Sequence, residues 1–176
     1  MQKSSRLLLI LGAMLLLGGC VAPLTPSIPP GYTGPRALIR DTALVHSGSK
    51  VDFFVVVKVG GKEIKNSRSE SMAANYGQGF NLSPVLLDRE VPAEQPLQLE
   101  IIARTEYAAP ILALTNAVYF VKGEVTFTPG EDHTYMVKGV LGPDYSAVWV
   151  EDTTTQQVVG NKIEVKGSAK LGFWSK

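Results

Sequence analysis

The chain has 176 residues, with 17 Lys and Arg against 16 Asp and Glu, a single Cys and 45% apolar residues, which bounds it to one globular domain of ordinary size. A net charge of +1 gives no electrostatic basis for holding nucleic acid, and one Cys builds neither a disulfide framework nor a thiolate zinc site. The apolar content and the near balance of charge also exclude a wholly disordered chain.

The chain opens on Lys3 and Arg6, continues as an apolar run from Leu7 to Leu17 and reaches Gly18-Gly19-Cys20. Residues 1–19 read as a secretory signal peptide. The run is about half of the roughly 20 residues that a bilayer-spanning helix needs, so it is too short for a permanent anchor. Leu17-Gly18-Gly19-Cys20 resembles the bacterial lipobox, in which small residues admit the signal peptidase and the Cys thiol carries a diacylglycerol; the alternative is an ordinary signal peptide with a Cys beside it. The resemblance implies a mature chain that begins at an acylated Cys20, with palmitate among its acyl chains, and that keeps 15 basic against 16 acidic side chains. Each buried methylene contributes about 0.8 kcal/mol, so three acyl chains hold a protein on the membrane essentially permanently. Val21 stands where, in the best-known sorting systems, an Asp retains a lipoprotein in the inner membrane; its identity implies the outer membrane.

Residues 20–35 contain Pro23, Pro26, Pro29, Pro30 and Pro35. Proline favours an extended chain of about 3.1 Å per residue, so this stretch reads as a semi-rigid tether that lifts the domain off the lipid. A passive linker is the simpler reading than a PxxP ligand, because no charged anchor lies inside the run.

From Ala37 the chain reads almost entirely as β. Val51–Val59 is an apolar, β-branched run, and Gly60-Gly61 before Lys62-Glu63-Ile64 is the turn chemistry of a tight hairpin. Leu97, Leu99, Ile101 and Ala103 alternate with Gln98, Glu100, Ile102 and Arg104, which predicts one buried face and one mostly wet face. Tyr119, Val121, Val125 and Phe127 alternate with Phe120, Lys122, Glu124 and Thr126, with Gly123 marking a bulge or a close approach. After Pro129-Gly130, Tyr135, Val137 and Leu141 share one phase, interrupted by Gly139. Ser146–Glu151 reads as a further strand, and Gln157–Val159 opens another after the Thr-rich turn at Asp152–Thr155. The best helix candidate, Ser69–Tyr76, is short, and Ala108–Ala117 is apolar but has Pro110 in its middle.

Seven or eight short strands at this spacing predict an all-β fold, a single antiparallel β-sandwich over residues 36–166 with little helix beyond the signal peptide and a basic, aromatic tail at 167–176. Phe127-Thr128-Pro129-Gly130-Glu131-Asp132-His133-Thr134-Tyr135, then Ala147-Val148-Trp149-Val150-Glu151-Asp152, resembles the ending of small uncharacterised Gram-negative outer-membrane lipoproteins with immunoglobulin-like or transthyretin-like sandwiches. Asp52-Phe53-Phe54 and Gly60-Gly61-Lys62 are similar to the same group. The resemblance implies a shape and a compartment; few activities are assigned in those families. Tyr135 reads as a corner residue whose ring packs under the turn and whose hydroxyl bonds a backbone group.

No catalytic constellation emerges. His46 sits in a loop-like stretch and His133 in a turn, neither with a ligand at helical spacing, and both read as exposed turn histidines. Asp132-His133 would need a remote carboxylate or Ser, and there is no G-x-S-x-G elbow and no H-E-x-x-H segment. Glu131-Asp132 and Glu151-Asp152 lack the pattern of a calcium loop and read as turn-forming acids. The expectation is therefore no enzyme, no cofactor and no metal.

The candidate binding residues are Tyr76 and Phe80, interleaved with amides and hydroxyls between Asn66 and Asn81, and Trp149. Long polar loops on a rigid sandwich are where binding residues tend to sit, although glycines and aromatics there also serve a structured connection. The tail, with Lys162, Lys166, Lys170 and Lys176 beside Phe173 and Trp174, suits either anionic lipid or glycan, or a final edge strand guarded by lysines. The expected function is a lipid-anchored envelope protein of structural or protein-interaction type, with its domain in the periplasm and a protein of the envelope as partner. The alternatives are a component of a multiprotein secretion machine and an envelope ligand binder or hydrolase inhibitor.

Overall fold

The computed structural model describes residues 26–176; the signal peptide, Cys20 and the start of the tether lie outside the described residues. In chain order the strands are β1 (Arg36–Arg40), β2 (Thr42–Ser47), β3 (Lys50–Val59), β4 (Lys62–Glu63) and β5 (Asp88–Pro92). They continue as β6 (Leu97–Tyr107), β7 (Phe120–Phe127), β8 (Thr134–Val140), β9 (Tyr145–Asp152) and β10 (Gln157–Lys166). Two short helices interrupt them, α1 (Ser67–Ala74) and α2 (Pro110–Thr115).

One sheet runs β10-β9-β8-β1-β5 and the other β2-β3-β6-β7, with β4 also paired to β3. The protein is thus an all-β sandwich. Its pairs are antiparallel except β1 with β8, which is parallel; the long intervening chain brings β1 beside β8, and no hairpin dictates its direction. The first strand lies between the fifth and the eighth, and not beside the second, the neighbour that an immunoglobulin order would give it. β1 and β2 are separated only by Asp41, where the chain passes from one sheet to the other.

Between the sheets, Ile39, Val56, Leu99, Ile101, Val137 and Val148 are completely buried. Each contributes roughly 1.5–3 kcal/mol relative to an exposed position, before ordering entropy is charged against it. The alternation in β6 holds on its inner face. Its outer face is less wet than the pattern predicts, because Ile102 joins Val51, Phe53 and Val55 in a second cluster roofed by Leu82 and Met72.

That roof is built by α1 and the chain after it. Asn66 accepts from the Ser69 N–H and Ser69 Oγ accepts from the Asn66 N–H, a reciprocal cap that starts the helix two residues before the expected Ser69. α2 forms where Pro110 argued against it: Pro110 occupies the first turn, where a missing N–H costs nothing because that position has no intrahelical acceptor. Gly60 and Gly61 turn the β3–β4 hairpin with φ of 55° and 76°, as the sequence predicts. Gly123 proves to be a close approach without a bulge, since a Cβ there would lie 2.7 Å from Ile163 Cδ1.

The sandwich has two ends. The proximal end carries the Gly60-Gly61 turn and the β7–β8 connection, and the chain arrives there at Arg36. The distal end carries the β2–β3 turn, α2 and the β8–β9 turn. β6, with 11 residues, runs the whole way, about 35 Å. The described part of the tether, from Pro26 to Pro35, lies against the domain: Ser27 Oγ donates to Glu90 O at 2.7 Å, and Pro29 and Pro30 line a cleft of about 460 Å³ with Val59, Pro96 and Leu97. The tail runs antiparallel beside the start of β7, with Phe120 N–H donating to Ala169 O at 3.0 Å and Leu171 N–H to Val118 O at 2.8 Å. It ends in a single 3-10 turn, Phe173–Ser175, at the distal end.

Candidate functional site

Both histidines are expected as exposed turn residues; His46 is exposed but ends a strand, His133 is half-buried in the turn before β8, and each has a buried acidic partner that the sequence pattern does not show. His46 lies at the end of β2, and its Nε2 is 2.7 Å from Asp52 Oδ2. Thr105 Oγ1 donates to the other Asp52 oxygen at 2.6 Å. Nearby, the Tyr107 phenol is held above its ordinary value, first by burial and then by the Asp52 charge. His133 Nδ1 is 2.8 Å from Asp152 Oδ2, while the Thr154 and Thr155 N–H groups donate to Asp152 Oδ1 at 2.8 and 3.3 Å. Burial pushes the Asp152 carboxyl up, but the His133 and backbone hydrogen bonds outweigh it and hold the group below the usual range. Spacing gave no signal for either pair, because the partners stand on different strands or turns.

Neither imidazole has a second hydrogen-bond partner among the described residues, so neither ring itself meets a hydroxyl or thiol there; the Thr105 hydroxyl reaches the first pair through Asp52. The His133 ring stacks beside Tyr135 with centroids 6.1 Å apart, and the Gly130 N–H donates to the Tyr135 hydroxyl at 2.9 Å. Tyr135 is the expected corner residue; burial, its largest influence, raises its phenol.

The acidic turns do not converge on a cation. Asp152 spends its oxygens on His133, Thr154 and Thr155, whereas Glu151 pairs with Lys138 at 2.6 Å. The Lys138 hydrogen bond is the main reason that the Glu151 carboxyl sits below its ordinary value. Among the described residues no three His, Cys, Asp or Glu side chains group as metal ligands.

The candidate binding residues fall on opposite sides of the sandwich. Tyr76 is 91% exposed and Phe80 is exposed in the loop that follows α1, over the outer face of the β2-β3-β6-β7 sheet. Trp149 lies on the outer face of the other sheet, with Lys162 Nζ 4.6 Å above its ring. The indole is already covered by a cation, so the three aromatics form no common site. Cys20 lies outside the described residues.

The sheet edges carry information that residue motifs did not. β5 ends in Pro92, bears Asp88, Arg89 and Glu90, and is crossed by Ser27. β7 is covered by the tail and by β10, where Asn161 Nδ2 donates to Glu124 O at 3.2 Å. β10 is broken by an irregularity between Val159 and Ile163 and bears Lys162, Glu164 and Lys166. Proline, charge, bulges and covering chain are the usual protections of such edges. β2 has an irregularity at its end, between Val45 and Ser47, but neither proline, charge nor, among the described residues, a covering strand. Its sequence Thr-Ala-Leu-Val-His-Ser carries no Lys, Arg, Asp, Glu or Pro, and Leu44 and Val45 are 52% and 55% exposed. It is an end strand, and among the described residues no strand pairs its outer side.

Set against known families, curated proteins and solved structures, the chain matches none of them. Among the described residues no helix is long and apolar enough to cross a membrane.

Proposed function

We propose that the protein is a lipid-anchored, non-catalytic component of the outer membrane whose domain, in the periplasm, holds an extended segment of another protein along β2. The carrying observation is the contrast among the sheet edges: β2 is the one without Lys, Arg, Asp, Glu or Pro, and its ladder to β3 is regular from Thr42 to Val45, about 13 Å. Strand addition draws affinity from main-chain hydrogen bonds and selectivity from alternate side chains, here Leu44 on one face and Val45 on the other. Leu17-Gly18-Gly19-Cys20 supports the anchor, and the arrival of the chain at the proximal end leaves β2 free of the tether.

The test is a photo-crosslinking residue placed in turn at Leu44, Val45 and Val158 in cells, with intact mass of the membrane-extracted protein beside its Cys20→Ser form. The expected result is a triacylated mass lost in Cys20→Ser, and one discrete adduct shared by the Leu44 and Val45 sites and absent at Val158. An added strand touches both faces of the edge; an adduct from one face only, an adduct of twice the chain mass, or none overturns the edge reading. An unmodified soluble protein overturns the anchor.

A further inference from the structure

The distal end presents an apolar and cationic surface that the edge reading does not use. α2 buries none of its side chains, and Ile111 and Leu114 are exposed on it. The tail brings Phe173 and Trp174 to the same place, with Trp174 94% exposed, and their rings meet edge to face at 5.1 Å. Lys176 fastens the two elements together, its Nζ donating to Leu114 O at 3.1 Å and Asn116 O at 2.6 Å. Lys170 stands one residue before Leu171, where the tail leaves β7.

The charge at this end is mostly positive. Lys50, Lys166, Lys170 and Lys176 lie in or beside its turns, against Asp144 and against Glu106, which is paired with Arg68 and Arg104. Protein interfaces are depleted in lysine, whereas an indole and aliphatic side chains beside lysines are the composition that settles at an anionic lipid surface. We infer that the distal end, through α2 and the Phe173-Trp174 turn, docks on an anionic phospholipid bilayer. The rings and aliphatic side chains enter the headgroup boundary, and Lys166 and Lys170 meet lipid phosphates.

The chain outside the described residues permits this contact on the membrane that holds Cys20. The six residues from Cys20 to Thr25 span about 20 Å when extended, enough for the sandwich to lie along the leaflet on its long dimension. Docking then fixes the orientation of the domain, which a tether alone leaves free.

The test follows Trp174 and not the partition of the protein, so that an anchor at Cys20 does not mask it. Full-length Trp149→Phe protein, in which Trp174 is the remaining indole, is placed with vesicles of phosphatidylcholine alone or with phosphatidylglycerol, each with a brominated-chain version. A Trp174→Phe difference spectrum on the otherwise unaltered chain gives the same reading if Trp149→Phe disturbs the fold. The expected result is a blue-shifted, bromine-quenched Trp174 in the anionic vesicles only. The effect weakens in 1 M salt, where the screening length is about 3 Å, and is lost in Lys166→Glu/Lys170→Glu, which leaves the Lys176 fastening in place. Equal quenching in both vesicles or in neither overturns the inference. So does shielding that follows protein concentration in the absence of lipid, which assigns the patch to a second copy of the chain.

Discussion

Asp41 and Arg89 meet through two parallel hydrogen bonds, Nη1 to Oδ1 and Nη2 to Oδ2, both 2.6 Å, with both side chains buried. The same carboxylate accepts from the Val56 N–H at 3.0 Å and from the Ser67 N–H at 2.8 Å. One side chain therefore ties the crossing between sheets to an irregular point of β3, to the start of α1 and to β5. Removing it leaves a buried guanidinium and two N–H groups without acceptors. Asp41→Ala is expected to lower the unfolding free energy by about 3–5 kcal/mol in urea titrations. Asp41→Leu with Arg89→Met should recover part of that loss and not all of it, because Val56 and Ser67 still lack an acceptor. A loss under about 1 kcal/mol in Asp41→Ala would refute the tie.

Gly139 lies under Phe54. A Cβ at this position would stand 2.3 Å from Phe54 Cδ1 and 2.7 Å from the backbone oxygen of Ala147. The ring belongs to the core and the oxygen to the neighbouring strand, so neither can step aside cheaply. Gly139→Ala should cost about 1–3 kcal/mol, and trimming Phe54 should not rescue it. At Gly123 the nearest atom is instead the flexible end of Ile163. Gly123→Ala should cost less; Ile163→Val should recover only part of it, because Cγ1 and Cγ2 stand at 2.9 and 3.0 Å, and Ile163→Ala should recover more in a double-mutant cycle.

These glycines were visible in the sequence as interruptions of a period-two pattern, and so was most of the sandwich. The Val51–Val59 hairpin, the inner faces of β6 and β8 and the Tyr135 corner are local facts, set by alternation and by turn residues within a few positions. What escaped was nonlocal or masked by composition. β1 is five residues behind a proline run, too short for alternation to stand out. Asp41 has no motif, because its partners lie 15, 26 and 48 residues away. His133 has its partner 19 residues away, and His46 has its own six residues on, across the β2–β3 turn, where no ligand motif marks it; no pattern along one chain tells which edge of a sheet is left open.

Ser71 is a buried hydroxyl in α1 that bonds outward as well as inward. Its Oγ donates to Ser67 O at 2.6 Å and accepts from the Val85 N–H at 2.7 Å, and Ser67 Oγ accepts from the Leu87 N–H at 2.7 Å. The segment before β5 is thereby hung from the helix. Ser71→Ala orphans the Val85 N–H and should cost about 1–3 kcal/mol. Hydrogen exchange should show the loss first at Val85 and Leu87, with β6 and β9 still protected; uniform loss of protection would contradict a local tether.

The Asp152 carboxyl sits below its ordinary value in the folded protein. A depressed carboxyl contributes stability that is present above its unfolded value, near pH 4, and that fades as the pH falls through the folded value. Urea titrations below about pH 4 should therefore show falling stability in the native sequence. Asp152→Asn should be less stable at pH 7 and should lack that part of the acid slope. An acid limb as steep in Asp152→Asn as in the native protein would remove Asp152 as its source.

At β2 the expectation is a separation of stability from binding. Leu44 and Val45 are largely exposed, so lysines placed there lose little packing, and the change in unfolding free energy should stay within about 0.5 kcal/mol. A strand laid beside them would meet two new charges on an edge that has none, the device by which natural sheets refuse neighbours. Leu44→Lys/Val45→Lys should therefore keep the native melting temperature and lose the crosslinked adduct obtained from a photo-reactive Ala43. Loss of the adduct together with a large fall in melting temperature would mean that the substitutions unfold the edge, whereas an undiminished adduct would show that the partner does not pair there.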